Sequence, residues 1–498
     1  MHPVATRLDA LLANGPREAP ALAERGSALS YGELDALVSR VAGALSARIA
    51  PGDRVAVWLP KSIACVALLF AVSRAGGVLV PVNPALKAAQ VAHILADSGA
   101  ACLVTHAARA AGLQAPCHVL LLEQDWDALS RSAPADPAGQ GGDTLAALLY
   151  TSGSTGLPKG VMVSHANLLA GARSVASYLG TAPDDRILSV LPLSFDFGLS
   201  QLTTAFHAGA SVVLLDYLTP RDVVAACARH AITQLAAVPP LWVQLAAQEW
   251  PAEAMAPLRT LSNSGGRLPV PTVRALRAKF PLARLHLMYG LTEAFRSTTL
   301  PPELADSHPT SIGRAIPDAE ILVVRPDGSL ASDGEPGELV HCGPLVTQGY
   351  WRDPARTAER FRPAPAASRL GGLAVWSGDT VVRDSEGLLT FVGRADETIK
   401  TMGTRVSPTE IEELAHGSGA VAQAMALGIP DELAGERIRL VAVPAAGLEA
   451  AAAEAQLIAH FRREAAAFMQ PAAVVWLDAL PVSANGKIDR AALRASFR

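Results

Sequence analysis

Apolar positions along the first part of the chain alternate between short β-branched runs and helical patterns. "RVAVWLP" (54–60) reads as a buried strand, "SIACVALLFAVSRAG" (62–76) as an apolar helix, and "VLVPVNP" (78–84) as the next strand. "AAQVAHILADSGA" is a helix stopped by glycine, and "CLVTH" is a further strand. The rhythm continues through "SVVLLD", "DVVAACARHAI" and "QLAAVPP". A strand–helix succession of this kind predicts an α/β fold with parallel-type sheets covered by helices. No solenoid-type repeat is present.

From about Asp318 the pattern shortens. "AEILVVRPDGSL" and "GELVHCGP" are short strands around a Pro-Asp-Gly turn, and "GLLTFVGR" is another, so this stretch reads as an antiparallel or barrel-like region. "PAPAASRLGG" (363–372) reads as a surface loop without catalytic meaning. After "GRADETIKTMGTRVSPTEIEE" (393–413) comes a smaller α+β segment with an Ala-rich helix between Leu448 and Met469. The expected boundary lies at Asp396, dividing the chain into a large domain, 1–395, and a small one, 396–498.

Composition narrows the class of protein. A chain of 498 residues with 50% hydrophobic content can bury more than one core. Charged residues make up 18% and the net charge is -4, so nothing in the charge balance points to nucleic acid. The five cysteines (Cys65, Cys102, Cys117, Cys227, Cys342) are odd in number and form no CxxC pair, which fits reduced thiols in a cytoplasm. The N-terminus lacks a charged-then-apolar signal pattern, and the apolar runs are too interrupted to span a membrane.

The stretch that carries chemistry is "YTSGSTGLPKG" (150–160). Glycine-rich turns can aim backbone N–H groups at an anion. Thr151, Ser152, Ser154 and Thr155 add hydroxyl donors around Gly153 and Gly156, and Lys159 adds a point charge. A Walker loop would read GxxxxGK[ST]; here the lysine follows proline and precedes glycine, so that reading fails. A strand leads in and "VMVSHANLL" leads out, which argues against a linker. There is no GxSxG elbow and no HxxxH or Cys/His cluster. His165 and His207 are read as loop or helix-end histidines.

The order of Ser/Thr-rich loop, Pro, Lys and Gly resembles the ATP loop of the AMP-forming adenylate ligases: acyl-CoA synthetases, peptide-synthetase adenylation domains and luciferases. The resemblance runs over nearly the whole chain. "LPLSFDFGL" (191–199) is similar to the acyl-pocket motif, "MYGLTE" (288–293) to the adenine and magnesium motif, and "GELVHCGPLVTQGYW" (337–351) to the central Gly-rich segment. "WSGD" (376–379) matches the ribose motif, "GRADETIKTMGTRVSPTEIE" the hinge, and "PVSANGKIDR" (481–490) the motif of the C-terminal catalytic lysine. One such motif is weak evidence; six in order are specific.

The resemblance implies roles. A carboxylate attacks the α-phosphate of ATP with Mg2+, pyrophosphate leaves, and a thiol of CoA or of a phosphopantetheine carrier then displaces AMP. Thr151, Ser152, Gly153, Ser154, Thr155, Gly156 and Lys159 would hold the phosphates. Tyr289 and Gly290 would pack on adenine, Asp379 would bind the ribose hydroxyls, and Arg394 would reach the nucleotide. Glu293 would ligate Mg2+ beside Thr292. Lys487, by composition a tail lysine after an Asn-Gly turn, would stabilise the adenylation transition state. Asp396 would be the hinge, and Gly403 would line a thiol channel.

The acid is read from the pocket positions Phe195, Asp196, Phe197, Ser200, Ala237, Ser262, Ser264, Met288, Arg296 and Ser297. Asp196 falls where amino-acid-activating domains place the partner of an α-ammonium. Arg296 either meets a substrate carboxylate or turns outward to Glu293 or Asp196. Hydroxyls and an arginine suit a small polar acid, with an amino acid preferred. A fatty-acyl activator and a catalytically dead nucleotide-binding scaffold are the alternatives. Several stretches look most like the ligases found with exosortase systems and the stand-alone ligases that load proline onto carrier proteins. The chain contains no carrier domain, so the acceptor is expected to be CoA or a separate carrier protein.

Overall fold

The computed structural model describes residues 6–139, 141–151, 158–394, 397, 399–401, 404–431 and 435–497. Ser152, Gly153, Ser154, Thr155, Gly156, Asp396 and Gly403 lie outside the described residues.

The strand–helix rhythm read from the sequence is the observed one. Arg54–Trp58, Val78–Pro81 and Cys102–Thr105 are strands, with helices Ile63–Arg74 and Ala88–Ser98 between them. Ile63–Arg74 is apolar on nearly every side because it is buried on nearly every side. The Ser62 hydroxyl starts it by accepting from the Cys65 N–H. Gly99, at φ 59°, supplies the left-handed residue that ends Ala88–Ser98. A six-stranded sheet results, in the order His118–Leu121, Cys102–Thr105, Arg54–Trp58, Val78–Pro81, Leu145–Thr151, Lys159–Ser164. All its pairings are parallel except the last, the hairpin that carries the phosphate loop.

A larger sheet takes Arg186–Ser189, Gln234–Ala237, Thr260–Asn263 and Arg284–Tyr289 as adjacent parallel strands. Beyond Arg284–Tyr289 the pairing becomes antiparallel through Thr298–Thr299, Ser311–Ala315 and Leu389–Arg394. The region expected to be antiparallel or barrel-like is antiparallel, and its strands continue the pairing of the large sheet. The switch occurs at Tyr289–Arg296, where the chain leaves the sheet and returns, and this turn delivers much of the site. The loop at 363–372 has a structural role. The N–H groups of Arg369 and Leu370 and the Ser368 hydroxyl donate to the buried Glu320 carboxylate.

The C-terminal segment has its own five-stranded sheet and its own core around Ile411, Leu440, Leu457 and Phe461. The Ala-rich helix spans Ala450–Glu464. Among the described residues no helix is long and apolar enough to cross a membrane.

His165, His286 and His341 are buried within the large domain. His165 accepts the Leu8 N–H at Nδ1, 3.2 Å away, so its role is to tie down the N-terminal segment. Burial pushes His165 and His286 down to about 4 and His341 down to about 3. Each is neutral in the fold, whereas the unfolded chain takes up a proton on each below the ordinary value near 6.5. The unfolded state thus binds more protons as pH falls, and stability drops. Their contribution is full above about 6.5 and declines towards 4, by on the order of 1 kcal/mol per pH unit per histidine. Urea midpoints at pH 7.5 and pH 5.0 check this: a clear fall is expected, and equal midpoints refute it.

Candidate active site

The site forms where the C-terminal ends of the parallel strands meet the C-terminal segment. Its nucleotide side is a chain of short polar contacts. Lys159, on the hairpin strand Lys159–Ser164, donates to the Tyr350 hydroxyl at 2.7 Å. Tyr350 in turn donates to Glu293 Oε1 at 2.6 Å, and Lys159 Nζ lies 3.4 Å from the same carboxylate oxygen. Burial lowers the lysine's pKa, opposed by the neighbouring Glu293. Glu293 and Thr292 sit on a short helical turn, Thr292–Ala294, just past the sheet edge. The hydroxyls of Thr151 and Thr347 are buried and have no hydrogen-bond partner among the described residues.

A second contact joins Tyr289 to Asp379. The tyrosine hydroxyl donates to Oδ2 at 2.5 Å, and Arg394 Nη1 is 3.2 Å from Oδ1. The Ser377 hydroxyl accepts the Asp379 N–H, setting the turn. Tyr289 faces the Phe391 ring at 6.3 Å. Burial, then Asp379, keeps its hydroxyl protonated well beyond the ordinary tyrosine range. These groups fit a magnesium nucleotide. Lys159 and the two unpartnered hydroxyls suit phosphate oxygens, Glu293 offers the hard oxygen that Mg2+ prefers, and Asp379 offers a pair of acceptors for a diol.

The third group, Lys487, arrives from the C-terminal segment. Residues 483–487 form a tight turn in which the Ser483 N–H donates to the Lys487 carbonyl and Gly486 adopts φ 77°. The turn docks on the large domain through Asn83, whose Nδ2 donates to Ala484 O and to Asn485 Oδ1, both at 2.9 Å. Lys487 Nζ lies 4.5 Å from the Phe195 ring centre. Gly265 makes the entry possible, since a Cβ there would sit 2.6 Å from Lys487 Cε. Burial lowers the Lys487 pKa, with Asp196 opposing and Arg296 reinforcing the shift.

The acyl side is built from the helix Asp196–Ala208 and the strand ends. Phe195, Asp196, Phe197, Ser200, Ala237, Ser262, Ser264, Met288, Arg296 and Ser297 are all buried. The expectation that Arg296 would turn outward if it paired with Asp196 is corrected. The two do pair, Nη1 to Oδ2 at 3.1 Å, but inside the protein, at 2% and 4% exposure. Asp196 therefore does not depend on a substrate ammonium for charge compensation. Ser297 Oγ is 2.9 Å from His341 Nδ1, and Met288 Sδ accepts from the Tyr178 hydroxyl.

Sequence reasoning missed Tyr350, Asn83, Gly265 and Tyr178. Tyr350 lies inside the quoted Gly-rich segment and is within reach of a motif argument. Asn83 meets a turn 401 residues away in sequence, and no local signal announces that.

Two family models cover the chain: "AMP-binding enzyme" matches residues 10–351, and "AMP-binding enzyme C-terminal domain" matches residues 410–487. The chain is 34% identical to feruloyl-CoA synthase of Amycolatopsis sp over 96% of both chains. It is 31% identical to the L-proline--[L-prolyl-carrier protein] ligase of Pseudomonas fluorescens over 97% of both. ATP-bound MatB from Rhodopseudomonas palustris superposes with a TM-score of 0.87 at 29% identity, covering 99% of this chain and 98% of that one. The o-succinylbenzoate CoA synthetase MenE of Bacillus subtilis, in complex with ATP and magnesium, superposes at 0.84 with 27% identity, covering 98% of this chain and 99% of that one. The chain belongs to the AMP-binding enzyme family and is an AMP-forming acid–thiol ligase that uses ATP with Mg2+.

Proposed function

We propose that the enzyme activates a small, polar carboxylic acid as its adenylate and passes the acyl group to CoA or to a separate carrier protein. The observation that carries this is the arrival of Lys487 beside Phe195, at the junction of the nucleotide and acyl sides. In the first step the acid's carboxylate oxygen bonds to the α-phosphorus of ATP, the α–β P–O bond breaks, and pyrophosphate leaves. Lys487 supplies positive charge where negative charge grows, in a site already dry enough to strengthen it. Lys159 and Thr151 receive the departing phosphates, and Asp379 with Tyr289 and Arg394 fixes the nucleoside. Glu293 would hold Mg2+, which would supply positive charge against the phosphates. In the second step a thiol bonds to the acyl carbon, the C–O bond to AMP breaks, and the thiol proton leaves to solvent.

An amino acid is the second reading, favoured by Asp196 Oδ1, which makes no hydrogen bond among the described residues and could accept from an ammonium. The cysteines are free, and Cys65, Cys102, Cys227 and Cys342 are buried, which supports a reducing, cytoplasmic compartment.

We place the domain boundary near Asp396 and the movement between the two half-reactions in rotation of the C-terminal domain about it. Arg267 of the large domain ion-pairs with Glu413 on the helix Pro408–Gly417 of the small one, and burial lowers the arginine to about 10. This pair holds the posture in which Lys487 is engaged.

ATP–pyrophosphate exchange across a panel of acids should show a signal with a small polar acid, and Lys487→Ala should abolish it while calorimetry still detects ATP binding. Normal exchange in that variant overturns the role of Lys487. Tyr350→Phe should lower kcat/KM for ATP about tenfold, the loss of one charge-assisted hydrogen bond of roughly 1.4 kcal/mol; an unchanged value removes Tyr350 from the nucleotide site. Glu413→Gln should slow single-turnover adenylate formation about fivefold, as a partly exposed pair contributes about 1 kcal/mol, without slowing thiol transfer from preformed adenylate. Equal loss in both steps argues against a posture-specific contact.

A further inference from the structure

The acyl pocket contains a charged side chain whose hydrogen-bonding capacity is only partly used. Arg296 Nη1 is committed twice, to Asp196 Oδ2 at 3.1 Å and to the Phe295 carbonyl at 2.5 Å. Its guanidinium lies over the Phe197 ring, 4.6 Å from the centre. Nε and Nη2 are buried and donate to nothing among the described residues. Arginine has five N–H donors in a rigid fork and cannot shed its proton to escape this. A desolvated, unpaired donor of a cationic group is costly, and such groups in native proteins call for an explanation.

The backbone holds this side chain in place by unusual means. Phe295 adopts φ 60°, ψ -61°, a conformation that side-chain-bearing residues rarely take. That turn aims the Phe295 carbonyl at Arg296 and sends the Phe295 ring against Gly171, where a Cβ would lie 2.7 Å from Phe295 Cδ1. Gly290 completes the fit, since its Cβ would stand 3.0 Å from Arg296 Cα. Asp196, Phe197 and Arg296 thus form one immobilised unit, and Asp196 directly follows Phe195, whose ring lies against Lys487. On the ligase reading the acid's reacting carboxylate sits at Lys487, beside Phe195, which puts the rest of the acid towards the neighbouring Asp196–Arg296 pair.

We infer that Arg296 determines specificity by donating Nε and Nη2 to an oxygen acceptor on the acid's tail, and that Asp196 is the positioning residue that fixes Arg296. The substrate class is a carboxylic acid bearing a second oxygen function, whether hydroxyl, carbonyl or carboxylate, and not a plain alkyl acid. This rests on the ligase reading above and narrows it. A site built to hydrogen-bond a substrate oxygen discriminates strongly against the analogue without it, because the donors are then left unpaired.

The test is ATP–pyrophosphate exchange with acids matched in length: butanoate, 4-hydroxybutanoate, succinamate and succinate, with norvaline and glutamine as an amino-acid pair. The wild-type enzyme should favour the best oxygen-bearing acid over its alkyl partner by about 100-fold or more in kcat/KM. The hydroxy, amide and dicarboxylate arms identify which acceptor is used. Replacing Arg296→Met together with Asp196→Asn removes both charges at once and avoids a lone buried carboxylate. In that double variant the preference should collapse towards unity, with ATP binding by calorimetry as the check on folding. Asp196→Asn alone should raise KM for the oxygen-bearing acid more than it lowers kcat, and Asp196→Glu should restore part of the preference. Exchange that favours alkyl acids, or a preference that survives in the double variant, overturns the inference and leaves the ligase reading standing. Silence with every acid overturns both.

Discussion

A charge can be taken out of water only where opposite charge or hydrogen bonds await it, and the active site of this enzyme is organised by that requirement. Arg296 is a fully buried cation, Lys487 and Lys159 are partly buried ones, and Asp196 and Glu293 are the anions that make this tolerable. Breaking such a pair from one side leaves an uncompensated charge, which is far worse than never having built it. The rest follows: the return turn after the strand Arg284–Tyr289 brings Glu293 beside Lys159 and Arg296 beside Asp196. Its strained residue, Phe295, is retained because the carbonyl it aims satisfies an arginine donor.

The same requirement shapes the seam between the domains. Each side has a separate apolar core, and the contacts that cross include polar ones: Asn83 to the 483–487 turn, Arg267 to Glu413, and the Ser407 hydroxyl to the Val392 carbonyl. Polar contacts can be exchanged for water when the seam opens, whereas an apolar seam would lose burial free energy with no replacement. A seam of this composition is compatible with the domain rotation proposed above. Lys487 is carried by the hydrogen-bonded 483–487 turn, and where that turn docks on Asn83 its ammonium is desolvated.

The elements with strong periodicity are legible in the sequence. The helix 62–76 and the strands around it can be read almost to the residue, because a helix buried on all sides and β-branched strands leave unmistakable patterns. The candidate site residues are reached through motif order, since "YTSGSTG", "WSGD" and "ANGK" are distinctive local contexts, and the structure brings Lys159 to Glu293, Asp379 to Tyr289 and Lys487 to Phe195. What is not legible depends on long-range juxtaposition. Nothing near Asn83 says that it holds a turn some 400 residues on, at Ala484 and Asn485. Nothing near Arg296 says whether it faces solvent, Glu293 or Asp196. That choice is set by Phe197 beneath it and by the backbone twist at Phe295, which sequence patterns do not encode.

The Asp196–Arg296 pair also shows why an aspartate in an acyl-pocket motif is an ambiguous sign. The same carboxylate can neutralise a substrate ammonium or hold an arginine, and the two roles predict opposite demands on the ligand: a donor in one case, an acceptor in the other. Which role operates is decided by whether a cation is already within hydrogen-bonding distance. Here one is, at 3.1 Å, and it is buried with two donor nitrogens to spare. One oxygen of Asp196 is still open, so an acid carrying both an amino group and an oxygen acceptor satisfies every unpaired group of the pair at once, and a hydroxy or keto acid satisfies the costlier half. An alkyl chain satisfies none of them, and the energetic asymmetry between an unmade and a made buried hydrogen bond is what turns that difference into selectivity.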